Sequence, residues 1–164
     1  MKNVRRRAKP SPKPDSIAEA VRYLARGDRS EGQIEQYLTG RAFAPPDVRK
    51  ALRHLRRLGY VDDDAAALRL AQARLARRPM SREALVAELE RRRFSAETVA
   101  RAVRCAYTGL SEEALAERFL RSLPRRFTDA ARESRRRAAL LRGRGFPEDI
   151  SEAVLASCLD HPER

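Results

Sequence analysis

SEGQIEQYLTGRAFAPPDVRKAL, residues 30–52, and SREALVAELERRRFSAETVARAV, residues 81–103, are one pattern written twice, displaced by 51 positions. The displacement lays Ser30 on Ser81, Ile34 on Leu85, Leu38 on Leu89 and Phe43 on Phe94. It then lays Val48 on Val99, Ala51 on Ala102 and Leu52 on Val103. In each copy a serine opens the segment, apolar residues recur at the three- and four-residue spacing of a helix face, and a phenylalanine closes a turn before a second periodic run. Ser30 with Gln33 has the spacing of a capping box, and Pro45 with Pro46 suits the first turn of a helix. A third copy is legible at its end, where Phe146, Ile150, Ala153 and Val154 repeat Phe94, Val99, Ala102 and Val103 with one residue deleted after the phenylalanine.

Working outward, a further helix precedes the first copy. Ser16 and Glu19 read as a capping box ahead of Ile17, Ala20, Val21 and Leu24, and Gly27 ends that run. The second half of the first copy buries Val48, Ala51, Leu52 and Leu55 and stops at Gly59. In the third copy Leu115, Phe119 and Leu123 make the first helix, Pro124 and Thr128 lie in the loop, and Arg132 to Arg142 form the middle helix. Two amphipathic helices cannot enclose a core, but three can, and tandem copies add burial at their junctions. The expected fold is all-α: three tandem three-helix, helix-turn-helix-like repeats in an elongated, gently curved array. The units are residues 16–61, 62–108 and 109–160, after a basic, disordered tail at 1–15.

Composition agrees with that class. Of 164 residues 42% are hydrophobic and 36% charged, with no Trp and few aromatics, so the apolar content is mainly Ala, Leu and Val. No apolar run reaches the roughly 18 residues of a membrane span, and the charged N-terminus lacks the apolar middle of a signal peptide, which points to the cytoplasm. Lys plus Arg is 36 against 23 acids, a net charge of +13, and only Lys2, Lys9, Lys13 and Lys50 are lysines. Guanidinium forks pair with phosphate and carboxylate, so the surface favours nucleic acid or an acidic protein face. Cys105 and Cys158 stand apart from any metal-ligand spacing and read as buried free thiols.

LGYVDDDAAA, residues 58–67, is the place where chemistry could reside. A Mg²⁺ or Ca²⁺ site on Asp62 and Asp64 would need more oxygen ligands on a defined loop, and no D-x-D-x-D-G continuation follows. The better reading is structural. Gly59, Tyr60, Val61, Asp62 and Asp63 form the junction between the first two units, with Tyr60 and Val61 packed into the seam and the aspartates starting the next helix. His54 lies on a helix among arginines and reads as a surface histidine. No phosphate loop, dinucleotide fingerprint or HExxH is present, so neither a cofactor nor catalysis is expected.

Three arginine groups remain: Arg53, Arg56 and Arg57; Arg91, Arg92 and Arg93; and Arg132, Arg135, Arg136 and Arg137. Units in a row would display them along an extended basic surface. The last two groups are the candidate contacts to a partner. Helix triplets of this size also suggest a helix-turn-helix DNA-binding regulator, although ETVARAVRCAY and SEAVLASC carry few side chains that could read bases.

With these features in place, Gly59-Tyr60-Val61-Asp62-Asp63 ahead of an Ala-rich helix, RLARRPMSREALVAEL at residues 74–89 and RGF at 144–146 resemble the RecX family of regulatory proteins, over nearly all of residues 16–160. The resemblance implies a three-repeat, all-helical, non-enzymatic modulator of the RecA recombinase. Such a protein lies in the groove of the RecA filament and restrains its extension, ATP hydrolysis and strand exchange, within recombination, DNA repair and the SOS response. Its implied partner is the RecA filament. The arginine-rich faces add single- or double-stranded DNA as a second expected contact. The closed repeat array gives no reason for a dimer, so a monomer is expected, and the lack of a long apolar run leaves no membrane association.

Overall fold

The computed structural model describes residues 15–160. Among these residues there are nine α-helices and no strand: α1 Ser16–Leu24, α2 Glu31–Gly40, α3 Pro45–Arg57, α4 Asp63–Arg77, α5 Arg82–Arg91, α6 Ala96–Ala106, α7 Glu112–Arg121, α8 Ala130–Arg142 and α9 Glu148–Asp160. The all-α expectation holds. Local chemistry sets the starts: Asp15, Ser30, Asp62, Ser81, Ser95, Ser111 and Asp129 each accept a hydrogen bond from a backbone N–H of the helix they precede. At Ser30 the capping box with Gln33 is complete. Helix α3 has no side-chain cap and opens instead on proline, which lacks the N–H that a cap would satisfy.

Helix contacts sort into three groups. Helices α1, α2 and α3 pack on one another; α6 packs on α4 and α5, which also touch; α9 packs on α7 and α8. The turn between the second and third helix of every group bends through the left-handed region, at Ala42 (φ 61°), Arg93 (φ 60°) and Gly145 (φ 78°). Its recurrence at matched positions makes the repeat a backbone feature as well as a sequence pattern. The first group encloses its own core of Ala20, Ile34, Leu38, Val48, Ala51, Leu52, Leu55 and Val61. A second, continuous core runs through the other six helices, from Ala67 and Leu85 to Leu120, Phe146 and Val154.

Several expectations are corrected. Helix α1 is capped by Asp15 rather than Ser16, whose buried hydroxyl donates to the Asp47 carbonyl at the start of α3 (3.1 Å). Glu19 is drawn away from the cap because it accepts from Tyr37 (2.7 Å), Arg22 (2.7 Å) and Arg41 (2.8 Å), tying α1 to α2. The hydrogen bond from Tyr37 leads those that hold its carboxyl below the usual range against the opposing effect of burial. Val21, expected on the buried stripe, is exposed, since α1 is covered on one side only. Cys105 is also exposed, because Ala102, Val103 and Ala106 occupy the inward face of α6. The Cys158 side chain, the basic tail at residues 1–14 and His161 lie outside the described residues. No described helix is long and apolar enough to cross a membrane.

Candidate interaction surface

The three aspartates at the first junction do three different things. Asp62 accepts from the Ala65 N–H (3.0 Å) and caps its own helix α4. Asp63 reaches back across the seam and accepts from the Glu31 N–H, the first of α2, at 3.0 and 3.3 Å. Asp64 turns to α6, where it accepts from Thr98 (2.9 Å) and Arg101 (2.7 Å). Bonds from Arg101 and Thr98 hold Asp64 below the usual carboxylate range. Burial pushes Asp63 and Glu31 the other way, up from their ordinary values. The expected role in helix initiation is thus carried by Asp62, while its neighbours join α4 to two other helices. Among the described residues no group of three or more His, Cys, Asp or Glu is arranged to hold a metal ion.

The same seam is closed on its other side by a helix start resting on a turn. Ser30 donates from its hydroxyl to the Arg92 carbonyl (2.5 Å), and Gly32 lies directly against the Arg93 carbonyl. A Cβ on Gly32 would also come within 2.9 Å of the Arg93 Cβ, so only glycine fits at this approach. Val61 is buried, 6% exposed, against the first core. Tyr60 is not: it is 62% exposed, because Gly59 (φ 71°) bends the chain so that only one of the two apolar neighbours faces inward.

The second seam repeats these contacts with other residues. Glu112, first in α7, accepts from the Arg82 N–H, first in α5, as Asp63 accepts from Glu31. The Arg144 carbonyl accepts from the Ser81 N–H (3.1 Å), as the Arg92 carbonyl accepts from Ser30. Here glycine sits on the turn, and a Cβ on Gly145 would lie 2.7 Å from Ser81 Oγ and 2.9 Å from Ala84 Cβ. Apolar and aromatic contacts surround this seam. The Arg144 guanidinium stacks over Phe119 (4.4 Å) and donates to the Pro79 carbonyl (3.3 Å). Arg118 donates to the Leu75 carbonyl (2.6 Å), and buried Tyr107 donates to the Met80 carbonyl (2.6 Å) beneath Arg82. Burial raises the Tyr107 phenol, so it stays a donor at physiological pH.

This arrangement has known relatives. Residues 17–55 match the family model described as RecX, first three-helix domain. The chain is 31% identical over 162 residues to the regulatory protein RecX of Mycobacterium avium, covering 96% of this chain and 92% of the relative. The chain belongs to the RecX family. It is also 30% identical to the regulatory protein RecX of Mycobacterium ulcerans with the same coverage. A crystal structure of RecX from Lactobacillus salivarius superimposes with a TM-score of 0.72 at 14% identity, covering 87% of this chain and 93% of that one. A second crystal structure of regulatory protein RecX gives 0.61 at 18% identity, over 85% and 69% of the two chains. This is therefore a RecX-family regulatory protein with the all-helical fold of that family.

Within this RecX fold the seven arginines expected to meet a partner are unequally placed. Arg91 is exposed at the end of α5, with its Nε turned to the Ala87 carbonyl (3.3 Å). Arg92 and Arg93 form the turn at the first seam, so their backbones are structural while their side chains border clefts on either side. Arg132 lies over the Phe127 ring (4.1 Å), and Arg135 is exposed. Arg136 (2.9 Å) and Arg137 (3.0 Å) are committed to Glu133, with side chains only 20% and 21% exposed. Burial disfavours the charged form of Glu133, but bonds from Arg137 and the Arg126 N–H, with Arg136 nearby, outweigh it and hold the carboxyl below its usual range. Those two arginines resolve a buried carboxylate, and the sequence signal for it was the i, i+3, i+4 spacing of Glu133, Arg136 and Arg137 on one helix face. Arg29 and Arg69 belong to no charge run in the sequence; the seam brings them together with Arg92.

Proposed function

We propose that this RecX-family protein binds the RecA recombinase filament and restrains its ATP hydrolysis, extension and strand exchange, acting in the cytoplasm as a monomer without chemistry of its own. The observation that carries the reading is the match to RecX regulatory proteins along 96% of the chain, which takes in all three helix groups. The units proposed to engage neighbouring protomers are residues 16–61, 62–108 and 109–160. The excess of arginine over acid supports contact with acidic protein faces and the enclosed nucleic-acid backbone, many weak contacts adding along a linear partner. Arg91, Arg93, Arg132 and Arg135 are proposed to reach the partner, whereas Arg136 and Arg137 act through Glu133. The helix-turn-helix reading gains little, since the outward face of α6 offers Glu97, Ala100, Arg104 and Cys105, a poor set for reading base edges.

The test is a titration of the protein into RecA hydrolysing ATP on single-stranded DNA, with and without excess duplex. The expected result is inhibition that survives the duplex competitor. Replacing Arg91, Arg93, Arg132 and Arg135 by alanine should raise the concentration for half-inhibition roughly tenfold, the sum of several screened contacts. Sequence-selective duplex binding with no effect on RecA would reject the proposal.

A further inference from the structure

The seam between the first two helix groups encloses a cleft of about 400 Å³ that neither core fills. Three cations border it from three separate elements: Arg29 in the α1–α2 loop, Arg69 on α4 and Arg92 in the α5–α6 turn. One carboxylate, Asp28, stands at its edge, and Leu70 and Phe94, both partly buried against the second core, line it with apolar surface. Of the other arginines at this seam, Arg56 is paired with Glu31 (3.2 Å) and Arg101 with Asp64 and Glu97, while Arg93 borders the opposite cleft. Arg29, Arg69 and Arg92 form no ion pair among the described residues. The Arg29 guanidinium lies 4.9 Å from the Tyr23 ring centre, and its Nε–H is buried with no acceptor among the described residues. A buried donor without a partner costs free energy until an acceptor arrives.

We propose that this cleft receives an acidic segment of a partner protein, a carboxylate side chain held by Arg29, Arg69 and Arg92 with an adjacent bulky apolar side chain against Leu70 and Phe94. The inference rests on the reading that the chain binds the RecA filament, and places one contact of that interaction. Planar guanidinium forks take a carboxylate with two parallel bonds, and three from different elements fix its position. A continuous phosphodiester fits less well, because its charge would extend past the cations over apolar surface and along Asp28. Since the cleft exists only where the two groups meet, a segment seated in it would tie them together across the polar seam.

The experiment uses the full chain and Arg69→Glu, chosen because Arg69 is exposed on α4 and forms no ion pair among the described residues, so the fold should survive; a circular-dichroism melt checks this. Arg69→Gln serves as a milder second variant. The probes are a fluorescein-labelled peptide with four glutamates flanking a leucine-phenylalanine pair, and a labelled oligothymidylate, both read by anisotropy. Arg69→Glu should weaken the peptide by about tenfold or more, Arg69→Gln by less, and the oligonucleotide by under about threefold, since a charge at a pocket matters more than one among many along a strand. Peptide affinity unchanged by Arg69→Glu, or oligonucleotide affinity falling as far as the peptide's, would overturn the proposal. Inhibition of RecA ATPase by the same proteins separates the two readings. Peptide binding lost with inhibition intact would remove RecA as the occupant of the cleft. Peptide binding intact in a wild-type chain that never inhibits RecA would instead sink the functional proposal and leave the cleft's chemistry standing.

Discussion

The seam joining α1–α3 to α4–α6 and the seam joining α4–α6 to α7–α9 share a backbone plan and differ in what surrounds it. In both, an acid at the first position of one helix caps the second helix of the preceding group, and that helix start rests on a left-handed turn. At the first seam the surroundings are charged: Glu31, Arg56, Asp63, Asp64 and Arg101 line an open cleft of about 700 Å³, and the two cores stay separate. At the second seam the cleft between the α5 start and the Gly145 turn measures about 150 Å³, and a single core passes through. Each large side chain buried there contributes about 1.5–3 kcal/mol, against about 1 kcal/mol net for a typical hydrogen bond. A repeated geometry therefore does not give a repeated strength: α4–α9 form one body, and α1–α3 hang on it by polar contacts.

The largest effect is expected from opening the shared core. Phe119→Ala removes a buried ring under Arg144 and should cost about 3–5 kcal/mol in urea unfolding, with α4–α6 and α7–α9 losing stability together. If only α7–α9 weakened, the two groups would not be one body. The paired glycines come next. Gly145→Ala combines a left-handed backbone with two close contacts and should cost about 2–3 kcal/mol. Gly32→Ala meets the Arg93 carbonyl and Cβ without backbone strain of its own, and the looser seam must open to admit it, so about 1.5–2 kcal/mol is expected. A reversed order of these costs would contradict the ranking of the seams.

Smaller still is the capping bond across the first seam. Asp63→Ala should cost about 1 kcal/mol in the urea midpoint, while Asp63→Asn, which keeps an acceptor oxygen for the Glu31 N–H, should retain most of the stability. The acid response should differ from one carboxylate to the next as well. Glu133 and Asp64 titrate below the ordinary carboxylate pKa of roughly 4, so their contribution is present above that value and lost as pH falls through their folded values. Asp63 and Glu31 are raised, so their share runs the other way, fully present below the ordinary carboxylate value and lost as pH rises through their folded values. Urea midpoints measured from pH 7 to 3 should therefore fall mainly in the last part of the range, and Glu133→Gln should flatten that fall. An acid limb unchanged in the variant would remove Glu133 as its source.

Much of this was legible in the chain itself. The match of residues 30–52 to 81–103 reports real backbone equivalence, down to the turns at Ala42 and Arg93, because helix starts and faces are set by residues a few positions apart. The capping box at Ser30 and the buried face of α3 follow from the same local rules. What periodicity cannot supply is the identity of a distant partner. Asp63 and Asp64 look alike in sequence, yet one reaches α2 and the other α6. Tyr60 and Val61 are both apolar, and only the bend at Gly59 decides which is buried. Charge runs mislead for a related reason: Arg136 and Arg137 are absorbed by Glu133 on their own helix, whereas Arg29, Arg69 and Arg92 converge from three elements without forming any run.

The central claim is that α1–α3 open independently of a single body formed by α4–α9, and native-state hydrogen exchange against urea tests it most directly. Amides of Ile34, Leu38 and Leu55 should share one opening free energy and urea slope, and those of Leu85, Leu89, Leu115 and Leu120 a larger common pair of values. One opening free energy and one slope for all seven would contradict it, because both seams would then be broken in the same event.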